Sequence, residues 1–65
     1  MINKAELIYG INLSIERHTS IYNQLLIKSS NAQKNRDKKY NHSKAMQERA
    51  HIIELKTIVE ALDEL

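Results

Sequence analysis

Ile8, Ile11, Ile15, His18, Tyr22 and Leu25 follow one another at alternating steps of three and four residues. That spacing lines side chains along one side of an α-helix and fills the a and d seats of a heptad. Every seat except His18 is apolar or aromatic. Leu7, Ile21 and Leu26 lie beside the line and widen it into a face broad enough to cover a partner helix. The opposite side holds Gly10, Arg17 and Gln24, which suit water. Helices in proteins are stabilised mostly by packing of such a face, so what covers this one is the question the rest of the sequence must answer.

A chain of 65 residues makes at most one domain, and at that size folding buries only about 60% of the surface the unfolded chain exposes. Small domains usually add disulfides, a structural metal or self-association. The absence of cysteine removes disulfides and thiolate zinc sites, and the three histidines form no recognisable ligand cluster in the sequence. No cofactor or metal is therefore expected, and self-association is the default staple. With no proline, one glycine, and neither tryptophan nor phenylalanine, the composition favours helices over a turn-rich β fold. The segment Met1 to Leu7 lacks the features of a signal peptide. No window approaches the roughly 18 to 20 apolar residues of a membrane span. The expectation is a soluble cytoplasmic protein with no membrane association.

The first helix is expected over about residues 3–30. Asn3 is a candidate N-cap, and Glu6 stands three residues on, as in a capping box. Gly10 costs about 1 kcal/mol relative to alanine in a helix interior, and marks either a close helix approach or a weak point. From Lys28 to Lys44 the apolar pattern stops. Lys28, Lys34, Arg36, Lys38, Lys39 and Lys44 there face one acid, Asp37, giving the segment a charge of about +5 and leaving the rest about −3, for the net +2. The clusters Ser29-Ser30-Asn31 and Asn41-His42-Ser43 favour helix ends. They predict a basic polar turn over about 31–42 and a second helix over about 43–65. In that helix Leu55, Ile58, Leu62 and Leu65 repeat the three-four-three spacing, flanked by Ile52 and Val59, and the line runs back through His51 to Glu48. Folding back near residue 36 would set Ile11 against Leu62, Ile15 against Ile58, His18 against Leu55, Tyr22 against His51 and Leu25 against Glu48. Apolar ends then match, as do polar ones.

The one cluster with chemical potential is His18, Tyr22, Glu48 and His51. Two imidazoles and a carboxylate can bind a metal, or a carboxylate can set a histidine tautomer for acid-base work. On an otherwise apolar seam, such residues more often hydrogen-bond to one neighbour and set register, so His18, Glu48 and His51 are read as a polar register layer. No activated nucleophile, phosphate-cradling glycine loop or metalloprotease signature is present. Neither an enzyme nor a small-molecule substrate is expected. The basic segment offers Lys34, Arg36, Lys38, Lys39 and Tyr40 for contact with an acidic protein or with nucleic acid. The first helix is a poor membrane binder, because Lys4, Arg17 and Lys28 are largely offset by Glu6 and Glu16.

Ile15-Glu16 and Leu62-Asp63 give the chain a partial similarity to the short aspartyl-phosphate phosphatases that regulate sporulation, which are also two-helix hairpins. Their signature has serine and glutamine just before the Leu-Asp pair, where this chain has Val59 and Glu60, so the activity is not carried over. Rop-type RNA-binding hairpin dimers share the size and architecture without a sequence match. The expected fold is thus an all-α antiparallel helical hairpin, pairing with a second copy into a four-helix bundle. Self-association is assigned to Ile8, Ile11, Ile15, Tyr22, Leu25, Leu55, Ile58 and Leu62. The expected function is that of a non-enzymatic regulatory or adaptor module with a protein partner, contacted through the basic turn or through Tyr9, Leu13 and Ile53. The alternative is an RNA- or DNA-binding hairpin dimer that uses the basic turn.

Overall fold

The computed structural model describes residues 2–65. Two helices, α1 (Lys4–Asn31) and α2 (Asn35–Asp63), fold back on each other as an antiparallel hairpin. The particle measures 49 × 15 × 14 Å with a Cα radius of gyration of 15.0 Å, against about 11 Å for a compact chain of this length.

The start of α1 follows from its cap. Asn3 Oδ1 accepts from the Glu6 backbone N–H at 2.8 Å, and Asn3 Nδ2 donates to Glu6 Oε1 at 3.3 Å. One otherwise orphaned amide is thereby satisfied, and Glu6 places negative charge in the first turn, where the helix dipole favours it. Ile8, Ile11, Ile15, His18, Tyr22 and Leu25 are all half-buried toward α2, while Gly10, Arg17 and Gln24 are exposed. A Cβ placed on Gly10 would meet nothing within 4 Å, so no part of the hairpin makes a close approach there.

The turn is shorter and earlier than the sequence suggested. It is not a basic loop over 31–42: α1 ends at Asn31 and α2 begins at Asn35, not near residue 43. Ala32 (φ −68°, ψ 138°) and Lys34 (φ −93°, ψ 136°) are extended, so the reversal is made without a left-handed residue. The cluster Asn41-His42-Ser43 does not open a helix, because Asn41 Nδ2 donates back to the carbonyl of Asp37 at 3.0 Å. A short polar side chain that bonds one turn back can sit inside a helix. Thr19 and Thr57 do the same, to Ile15 and Ile53. Ser29 Oγ instead crosses the turn to the carbonyl of Lys38 at 2.9 Å and pins the start of α2 to the end of α1.

The early turn shifts the register. Lys4 Nζ reaches the carbonyl of Asp63 at 3.3 Å, and His18 meets Glu48 and His51 where Leu55 was expected, a slip of roughly 1.5 helical turns. The inward face of α2 is also rotated from the predicted line. Asn41, Ala45, Glu48, Ile52, Leu55, Val59 and Leu62 face α1, whereas Ile58, Leu65 and His51 lie to one side and are exposed. Leu55 and Leu62 belong to both lines, which is why the spacing of the oily C-terminal half could not choose between them. Among the described residues only Ala45, at 0% exposure, and Ile52, at 8%, are buried. Ala45 lies level with Tyr22 in this register, a small residue where the facing helix presents a large one.

Ile52 is the best-covered large side chain of the seam, so Ile52→Ala should lower unfolding free energy by about 2–4 kcal/mol through lost transfer energy and a residual cavity. Urea denaturation followed by helical circular dichroism measures this. A loss below about 1 kcal/mol would mean that Ile52 is not in the core.

Candidate interaction surfaces and the central polar layer

Midway along the hairpin, α1 brings His18 inward at a d seat and α2 brings Glu48 to the facing seat. His18 Nδ1 donates to Glu48 Oε2 at 2.5 Å, with side-chain exposures of 26% and 25%. The ring of His51, one helical turn beyond Glu48, stands edge-on to His18, with centroids 4.5 Å apart and planes at 68°. His51 Nδ1 lies 3.9 Å from Glu54 Oε2, a loose pair in largely exposed surroundings. The sequence-predicted layer of His18, Glu48 and His51 therefore does come together, and Tyr22 follows His18 one turn further along the same seam. The charge-assisted bond fixes the His18 tautomer and leaves Nε2 unengaged by Glu48. Among the described residues, no group of three His, Cys, Asp or Glu side chains is arranged to hold a metal ion. None of these residues presents a nucleophile to the imidazole.

Of the residues assigned to self-association, Ile8, Ile11, Ile15, Tyr22, Leu25, Leu55 and Leu62 line the seam between the two helices of one chain, half-buried, and Ile58 alone is exposed. The seam is bordered by two margins, and they are unlike. One margin carries Leu7, Ser14 and Ile21 from α1 beside His51, Ile58 and Leu65 from α2, at steps of seven in both helices. The other carries Ala5, Asn12, Thr19 and Leu26 beside His42, Arg49, Lys56 and Asp63. The His18–His51 contact fixes the members of the first margin on the same side. The Lys4–Asp63 contact does so for the second, where Lys4, Ala5, Ile8 and Asn12 line a groove with Asp63. On the apolar margin a second shallow groove runs past Ile2, Glu6, Leu7, Gly10, Ile11 and Ser14. Leu7 and Ile58 are 43% and 46% exposed. Sequence reasoning identified Leu7 and Ile21 but missed their union with Ile58 and Leu65, because the wrong register turned those two toward α1.

The basic residues gather at the turn end. Lys34, Arg36, Lys38, Lys39 and Tyr40 are all exposed, now on the first turns of α2 and the residue before it rather than on a loop. Lys44 Nζ lies 5.6 Å from the Tyr40 ring centroid, a cation-π contact that already occupies one ring face. Lys38, Lys39 and His42 line a depression with Ser29. Tyr9, Leu13 and Ile53 are exposed on the outer faces of the helices. Among the described residues, no helix is long and apolar enough to cross a membrane. The chain matches no protein-family model, no curated protein and no solved structure.

The His18–Glu48 bond should appear as coupling between the two side chains. A double-mutant cycle with His18→Ala and Glu48→Ala at neutral pH should give an interaction energy of about 1 kcal/mol in unfolding free energy. Additivity of the two single substitutions would remove the bond from the account of register.

Proposed function

We propose that this chain is a self-associating helical hairpin, a non-enzymatic adaptor whose folded form is completed by a second copy as a four-helix bundle. The observation that carries the reading is the open seam. The chain exposes 5267 Å² for a mass of 7.6 kDa, against about 4,300 Å² for a compact monomer of that mass. Large apolar side chains contribute to that surface, since Leu7, Leu13, Ile21, Ile27, Ile53 and Ile58 are all exposed. Full burial of one such side chain contributes about 1.5–3 kcal/mol, so covering even a few is a strong incentive to associate. Tyr9, Leu13 and Ile53, on the outer faces, would remain available to a further protein after pairing.

A second reading is supported by the turn. Lys34, Arg36, Lys38 and Lys39 are exposed together at one end of the hairpin, and among the described residues no salt bridge engages them. In this reading the hairpin dimer binds the phosphates of RNA or DNA.

Sedimentation equilibrium should give twice the 7.6 kDa chain mass, and a monomer at high concentration with full helicity would end the self-association reading. The two partner classes separate by salt. Nucleic-acid binding should weaken steeply between low and physiological salt and fall by about tenfold or more when Lys38 and Lys39 become glutamine. Contact with an apolar protein surface should be nearly insensitive to both changes.

A further inference from the structure

We infer that the second copy docks on the margin formed by Leu7, Ser14, Ile21, Ile58 and Leu65, and that it lies antiparallel, with the two basic turns at opposite ends of the dimer. The inference rests on the self-association reading and specifies its interface. Two margins border the seam, and one of them strands far less charge than the other when it is covered. The margin with Asn12, Thr19, Arg49, Lys56 and Asp63 would bury cations and a carboxylate, whose desolvation is costly unless each finds a partner. The other margin carries Leu7, Ser14 and Ile21 beside Ile58 and Leu65, with His51 as the one titratable side chain among them, and Glu6 borders its groove at the free end.

The groove along Leu7, Gly10, Ile11 and Ser14 gives that margin its shape. Nothing in the hairpin uses the space over Gly10, and Gly10 and Ser14 stand one turn apart on the same edge, so a neighbouring helix can settle low between Leu7 and Ile21. Covering this groove also closes the half-buried Ile11 and Ile15 beside it. The dimer would then have one continuous core instead of two open seams.

Charge sets the direction. Both columns of the margin end in lysine toward the turn, Lys28 after Ile21 and Lys44 before His51. Residues 28–44 carry about +5 and the rest of the chain about −3 within the net +2. A parallel pair would bring two such turns side by side, and like charge at close range is repelled. An antiparallel pair sets each basic turn toward the acidic free ends of its neighbour, which carry Glu6, Asp63 and Glu64. The hairpin is 49 Å long, so the two turns then lie far apart.

The chain has no cysteine, which permits single-site spin labelling. Ser14→Cys labels should lie within about 25 Å of each other across the seam, because neighbouring helices in a bundle are about 8–10 Å apart. Lys39→Cys labels should lie about 30 Å or more apart, because Lys39 stands roughly ten residues from the middle of α2 in each copy. A short Lys39 distance would overturn the antiparallel arrangement. Ile58→Lys should shift the sedimenting species from dimer to monomer, and Asn12→Lys on the other margin should leave the dimer intact. Loss of helicity together with the dimer in Ile58→Lys also supports the docking surface, since Ile58 is exposed within a single hairpin. If Ile58→Lys stays dimeric, or Asn12→Lys is the variant that dissociates, the docking surface is wrong although self-association stands. A wild-type chain that is monomeric throughout would instead overturn the self-association reading itself.

Discussion

Two helices that touch along one line cannot close that line against water, and everything else in this molecule follows from that geometry. The seam residues of α1 are half-buried without exception from Ile8 to Leu25, and in α2 only Ala45 and Ile52 are buried. A hairpin with such a seam gains part of the free energy its apolar residues offer and leaves the rest on its margins. Small domains are marginal for this reason. The open margin is therefore a property of the architecture, and its composition determines what can occupy it.

Within the chain, register rests on polar groups more than on apolar ones. Isoleucines and leucines at heptad spacing fit one another at several offsets, each a turn or two apart, at similar cost. The His18–Glu48 bond and the Ser29 bond to the Lys38 carbonyl do not, because each needs one partner at one distance. A single polar pair in an otherwise greasy seam is a recognised way to specify alignment. The central layer is best understood in those terms. Its imidazole and carboxylate bond to each other across the seam.

The all-α hairpin was legible from the three-four spacing of α1, and the Asn3 cap was legible from Glu6 three residues later. The seats of α1 emerged as read, His18 included. The turn was not legible, because it contains no glycine or proline and no residue in a left-handed conformation. Polar side chains at Asn41 and Ser43 signalled a helix end, although in the structure Asn41 bonds back to Asp37 within the helix. That misplaced turn carried the register with it and rotated the apparent face of α2 toward Ile58 and Leu65. The polar layer survived the error because Glu48 and His51 lie close enough together for either alignment to bring one of them near the α1 histidine region. The apolar margin did not survive it, since recognising the margin requires knowing that Ile58 and Leu65 point past α1 rather than into it.

The proposed adaptor role depends on folding and association being one process. The most direct measurement is the thermal midpoint of the unaltered chain, followed by helical circular dichroism over about a thousandfold range of concentration. Association that is coupled to folding contributes stability by mass action, about 4 kcal/mol over that range for a tight complex. The account predicts a midpoint that climbs steadily as concentration rises. A midpoint that stays the same across the whole range would show that the hairpin is complete by itself, and would contradict it.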